Sequence, residues 1–268
     1  MPSRRQVVVS GLTFALTESS RPWGSTAPAI VLVHGIGMSH RYLTRLHREL
    51  ARETRVVSVD LPGFGGLPKP PADLDVMRMA AGLAEVVAGL GEEQLVLVGH
   101  SMGAQWVVET ASQRPEKVRA VVLIGPVVDD RHRTIGAQAR ALAIDTLGES
   151  PRINTLVFTD YLRCGPRWYL LQVRHMLAYP LKLRLRSLPM PVLVMRGGAD
   201  PVAGRAWCRS LRDAAGVGRL IEIPGHHHVV QESAPKTVAA AIRTHTDGTW
   251  PASAEAGGTR RGRTTSNS

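Results

Sequence analysis

The chain has 268 residues, 44% hydrophobic and 21% charged, which is the balance of a folded globule and excludes disordered and collagen-like readings. Thirty-three Lys and Arg against 22 Asp and Glu give a formal charge of +11, a bias that invites anionic partners. Two cysteines, Cys164 and Cys208, exclude a disulfide framework, and no apolar run approaches the roughly 18 residues of a membrane span.

In chain order, the basic N-terminus passes into alternating residues rather than an apolar signal core, so a cytoplasmic location is expected. QVVVS (6–10) and LTFALTE (12–18) straddle Gly11 and read as an antiparallel hairpin at a sheet edge. Then follow the strand run AIVLV (29–33), a helical pattern over 40–52, RVVSV (55–59), a helix over 74–89, QLVLVG (94–99) and a helix over 103–113. RAVVLIG (119–125), PVLVMRG (191–197), a helix over 204–215, LIEIPG (220–225) and a helix over 235–244 complete the series. Near-continuous apolar runs suit a parallel sheet buried on both faces. Strand and helix in alternation predict an α/β fold with right-handed crossovers.

Residues 126–188 break this rhythm. They contain helical patterns interrupted by Pro151, Gly165, Pro166 and Pro180, without a strand run. An insertion between strands of an open sheet is expected over the carboxyl ends of the strands, so a helical lid is predicted there, with a core of 1–125 and 189–247. Five of the twelve aromatic residues lie in it: Phe158, Tyr161, Trp168, Tyr169 and Tyr179. Residues 248–268, rich in Gly, Ser, Thr and Arg, are expected to be disordered. The basic groups RHR (131–133), KLRLR (182–186) and RRGR (260–263) are scattered and lack an aromatic platform, so nucleic acid is not expected as a partner.

The chemistry concentrates at Gly99-His100-Ser101-Met102-Gly103, between a strand and a helix. A serine on so sharp a turn projects its hydroxyl above the sheet, and its neighbours two residues away must be tiny to let strand and helix pass. Three further motifs follow strands: His34-Gly35-Ile36-Gly37, Asp60-Leu61-Pro62-Gly63-Phe64-Gly65, and Gly198-Ala199-Asp200-Pro201. Near the end stands Pro224-Gly225-His226-His227-His228. Asp200 could also serve as a plain helix cap, Asp129 or Asp130 could be a rival acid, and three adjacent histidines could suggest a metal tract, although consecutive turn residues point apart.

In this order the motifs resemble those of the α/β-hydrolase family, in its serine branch with an inserted lid, over about residues 7–245. The resemblance implies a mostly parallel, eight-stranded sheet flanked by helices, and a triad of Ser101, Asp200 and His228. It also implies an oxyanion hole formed by the N–H groups of Ile36 and Met102. Gly35, Trp168 and Tyr169 are expected against the substrate, and His34 is expected to be a hydrogen-bonded scaffold residue. No metal or other cofactor is implied.

The predicted activity is hydrolysis of a carboxylic ester of a small to medium, partly apolar substrate, through an acyl-enzyme. Lactonase, thioesterase and C–C hydrolase chemistry share the same motifs. Arg131, Arg133, Arg163, Arg167 and Arg174 could recruit a substrate carboxylate or simply face solvent. A non-catalytic binding protein on the same fold is the competing class. Of the three histidines, counting from Pro224-Gly225 selects His228 as the base.

Overall fold

A computed structural model describes residues 2–130 and 134–248, and the backbone alone at 137 and 138. The chain opens with β1 (Ser3–Val9) and β2 (Leu12–Ser19), paired antiparallel around Ser10 and Gly11, both of which have positive φ (49° and 75°). That turn matches the twist of the flanking strands. β3 (Ala29–Val33) leads through a 3-10 turn, His40–Leu43, into α1 (Thr44–Leu50), so the predicted helix over 40–52 begins as a tighter coil. β4 (Val56–Asp60), α2 (Val76–Ala88), β5 (Leu95–His100), α3 (Gly103–Gln113) and β6 (Val118–Ile124) follow.

Four helices then intervene: α4 (Ile135–Gly148), α5 (Pro151–Cys164), α6 (Pro166–Ala178) and α7 (Leu181–Leu185). The expected breakers Pro151 and Pro166 stand at helix starts, where a missing N–H costs nothing. Gly165 joins α5 to α6 at φ 74°. The chain closes with β7 (Val192–Gly197), α8 (Arg205–Ala214), β8 (Gly218–Ile223), α9 (Val230–Ser233) and α10 (Pro235–Thr246).

The eight strands form one sheet in the order β1-β2-β4-β3-β5-β6-β7-β8, parallel from β4 onward. Alternate strand residues feed two cores. Val31, Val57, Leu97, Val121 and Val194 pack with α2, α3 and α8 on one face. Ile30, Val56, Val98, Val122 and Leu193 pack with α1 and α10 on the other. This is the doubly covered, mostly parallel sheet expected from the sequence. Its central order reverses at β3, flanked by β4 and β5, so the loops after β3 and β5 diverge there and leave a crevice at the carboxyl ends of the strands. Among the described residues no helix is long and apolar enough to cross a membrane. The tail from 249 onward and the RHR group at 131–133 lie outside the described residues.

Candidate functional site

Ser101 follows β5 with φ 56°, a left-handed conformation that costs a side-chain-bearing residue on the order of 1–3 kcal/mol and persists only where its surroundings impose it. The surroundings are backbone. A Cβ on Gly99 would lie 2.3 Å from the Gly103 carbonyl oxygen, and one on Gly103 would lie 2.6 Å from the carbonyls of Val33 and His34. Both glycines are therefore required by the close passage of strand, turn and helix, as the sequence predicts. The Ser101 N–H donates to the Ile124 carbonyl at 2.9 Å, tying the turn to β6.

His228 lies in the loop between β8 and α9, with its side chain 5% exposed. Its Nδ1 donates to Asp200 Oδ2 at 2.9 Å, and the other Asp200 oxygen accepts from the N–H groups of Val202 (2.7 Å) and Ala203 (2.9 Å). Burial alone would raise the Asp200 carboxyl, but the imidazole and the two N–H donors outweigh it and hold the carboxyl below its ordinary value. Burial likewise works against a charged His228. The Asp200 carboxylate, with Asp145 and Glu149 beyond it, prevails and raises the imidazole above its ordinary value. His228 Nε2 is buried without a hydrogen-bond partner among the described residues.

The turn and the histidine loop are joined by a second chain of hydrogen bonds. The Gly35 N–H donates to Tyr42 Oη at 2.6 Å, leaving the phenol hydrogen to donate to His100 Nδ1 at 2.7 Å. His100 Nε2 then donates to the His228 carbonyl at 3.0 Å. These bonds require a neutral His100. Burial, followed by the nearby His228, lowers its pKa to about 3.

Ser101, His228, Gly35 and Ile36 line a cavity of about 290 Å³. Most of its remaining wall is apolar, drawn from α4, α5 and α6: Leu142, Ile153, Val157, Tyr161, Tyr169 and Val173 among them. Asp145, Thr146, Glu149 and Asn154 supply the polar part, and no Lys or Arg lines it among the described residues. The N–H groups of Ile36 and Met102 make no hydrogen bond to protein acceptors among the described residues.

The sequence pattern of the alpha/beta hydrolase family matches residues 30–241. The chain belongs to that family. Over 242 residues, 81% of this hydrolase-family chain and 47% of the relative, it is 28% identical to a biotin biosynthesis bifunctional protein of Cellvibrio japonicus. It is 35% identical over 122 residues, 44% of the chain and 39% of the relative, to an sn-1-specific diacylglycerol lipase of Mus musculus. The chain spans less than half the length of the curated relatives it matches. Among solved structures, a thermophilic esterase from Thermogutta terrifontis superposes with a TM-score of 0.75 at 21% identity, over 90% of this chain and 97% of the esterase, a likeness of fold.

Against this family frame the expected residues sort clearly. Ser101, His228, Gly35, Ile36 and Tyr169 meet at the cavity, and Asp200 reaches it through His228. Trp168, expected against the substrate, does not line it. Its ring packs on Phe64 with centroids 6.1 Å apart and fills the space over Gly63, where a Cβ would lie 2.5 Å from its Nε1. The alternative acids separate as well, because His228 Nδ1 bonds to Asp200 and not to Asp129 or Asp130. His226 Nδ1 pairs with Ser233 Oγ at 2.9 Å, and His227 leans on Gly148, so neither joins the cavity. His34 is a scaffold residue: Nδ1 donates to the Gly35 carbonyl (2.7 Å) and Nε2 accepts from the Leu61 N–H (3.1 Å). Arg163, Arg167 and Arg174 are exposed and line no part of the cavity.

Sequence reasoning missed Arg196. Its buried guanidinium sits beneath the acid loop, donating to the carbonyls of Ala203 (2.7 Å), Asp200 (2.9 Å) and Gly198 (3.3 Å) while pairing with Glu222. An arginine inside an otherwise apolar strand run was the signal. A buried charge demands such partners. The sequence also passed over Tyr42, Asp145 and Glu149, whose roles depend on contacts between distant segments.

Proposed function

We propose that the chain is a serine hydrolase acting on carboxylic esters with a small to medium, apolar acyl group. The observation that carries this reading is the junction at one apolar cavity of a strained, strand-end Ser101 and a His228 imidazole bonded through Nδ1 to the buried Asp200. Ser101 Oγ attacks the acyl carbon while His228 Nε2 takes the serine proton, and the N–H groups of Ile36 and Met102 receive the oxyanion. The imidazolium then protonates the departing alcohol as its bond to the acyl carbon breaks. Water, deprotonated by His228, attacks the acyl-enzyme, releases the acid and restores Ser101. Asp200 keeps the Nδ1–H tautomer and stabilises the imidazolium in both halves.

The cavity's size falls at the lower end of small-molecule pockets, and its walls of Ile153, Val157, Tyr169 and Val173 favour an uncharged acyl chain. The helices α4 to α6 act in this reading as the lid that shapes the acyl site. Ester, lactone and thioester bonds all suit the same atoms, and a matched panel of the three ranks them.

The test is hydrolysis of a chromogenic short-chain ester. Ser101→Ala removes one hydroxyl and is expected to lower kcat by about 10⁴-fold or more, since the members of such a set act as a unit. Activity within tenfold of the native protein contradicts the nucleophile. Because only neutral His228 accepts the proton and its pKa is raised, kcat/KM is expected to climb with pH through a midpoint above the ordinary histidine value of about 6.5.

A further inference from the structure

On α4, Ile135, Ala139 and Leu142 line the cavity, Ile144 and Leu147 are 48% and 89% exposed, and Asp145 is the one buried side chain among those described on this helix. A carboxylate is buried only where something satisfies it. Here the partner is the backbone of the histidine loop: the His228 N–H donates to Asp145 Oδ1 at 2.9 Å. One helical turn on, Glu149 Oε1 accepts the next N–H, that of Val229, at 3.0 Å. Gly148 completes the footprint, because a Cβ there would lie 2.1 Å from the His227 ring. Asp145 on α4 and Glu149 just past its end thus take two successive amides of the loop that carries the imidazole.

His228 is consequently held at three points. Asp200 holds its ring, His100 holds its carbonyl, and Asp145 holds its amide. The first two come from the sheet and its loops, the third from the inserted helices. We infer that Asp145, seconded by Glu149, is a positioning residue for His228, fixing the loop backbone and adding negative charge beside the imidazolium that forms when Ser101 reacts. The inference rests on the reading of Ser101, Asp200 and His228 as the reacting set.

The electrostatics agree. Asp145 and Glu149 both add to the pull of Asp200 on the His228 proton. Burial raises the Asp145 carboxyl, which is opposed by His228 and His227 and reinforced by Asp200. Among the described residues, the other groups facing this cluster are the neutral His100 of β5 and, across an adjoining cavity, Arg45, Arg152, His226 and Glu232.

The experiment compares Asp145→Ala and Asp145→Asn by pH profile and by the rate of labelling with a serine-directed organophosphonate. Asn keeps an oxygen for the His228 amide but removes the charge. The expected result is a kcat about tenfold lower or worse for Asp145→Ala with little change in KM, and recovery of most of that loss in Asp145→Asn. In Asp145→Asn the acid limb of kcat/KM moves to lower pH by on the order of half a unit, because losing a negative neighbour lowers the imidazole pKa. A native kcat and acid limb in both variants overturns the inference. So does an equal loss in both with an unmoved acid limb, which marks a merely structural contact. If Asp145→Ala does not fold, the limb of Asp145→Asn decides alone. Ser101→Ala is run beside them: if it still labels and turns over, the underlying reading fails, whereas if it is silent and the Asp145 variants behave as native, only the positioning role fails.

Discussion

Strands β3 to β7 bury nearly every side chain on both faces, whereas the four helices between β6 and β7 bury a narrower set, Trp168, Met176, Leu181 and Leu185 among them, and add polar clasps to it. Asp160 of α5 accepts from Ser39 Oγ at 2.6 Å and pairs with Arg41 at 3.0 Å. Gln172 of α6 donates to the Leu74 carbonyl at 3.0 Å, and Gln105 of α3 reaches the Met176 carbonyl at 2.9 Å. Glu109 of α3 accepts from Tyr179 and, through both oxygens, from Arg184 of α7. The sheet region carries Ser101, Asp200 and His228; the helices furnish most of the apolar wall facing them. Close packing resists change, while individually modest hydrogen bonds can be exchanged one at a time. In the proposed reading the difference is a division of labour: the sheet carries the chemistry, and the helices shape what reaches it.

That division can be broken at its strongest point first. Asp200→Asn leaves the loop geometry in place but favours the wrong His228 tautomer, and a fall in kcat of about 10³- to 10⁴-fold is expected on a chromogenic ester. Asp129→Asn, made in parallel, is expected to cost little. A crippled Asp129 variant beside an active Asp200 variant would relocate the acid.

Smaller effects separate two neighbouring aromatics on α6. Tyr169 lines the cavity and packs on Tyr161 with centroids 5.1 Å apart, so Tyr169→Ala is expected to shift the preferred acyl length in a homologous ester series by a few-fold while turnover persists. Trp168 is 5% exposed and wedged against Phe64. Its replacement by Ala is expected to lower stability by about 3–5 kcal/mol in chemical denaturation, with an unchanged acyl profile. A profile shift in the Trp168 variant and none in the Tyr169 variant would reverse the assignment. The smallest effects belong to His226→Ala and His227→Ala, each expected to keep kcat within about threefold, since neither ring lines the cavity.

The same contrast explains what the sequence could reveal. The strands were legible because burial on both faces leaves unbroken apolar runs such as AIVLV and LVLV, each ending at a turn. The serine turn was legible because its glycine-serine-glycine spacing is local, although only Gly99 is pressed by the turn itself, while Gly103 is pressed by the distant carbonyls of Val33 and His34. Trp168 was misplaced because an aromatic in an inserted helix carries no mark of which side it faces, and here a glycine turn more than 100 residues earlier receives it. Asp145 and Glu149 were invisible because they bond to backbone amides 83 and 80 residues away, and amides have no sequence signature. Arg196 stood in plain view within a strand, but its partners are carbonyls of the following loop.

The central claim is that Ser101 is a nucleophile activated by His228. Intact-protein and peptide mass spectrometry after brief exposure to a serine-directed organophosphonate tests it without knowledge of the natural substrate. The account predicts a single adduct on Ser101, slowed strongly in His228→Ala and forming faster as pH rises through the titration of His228. An adduct on another residue, or undiminished labelling in Ser101→Ala, would contradict it.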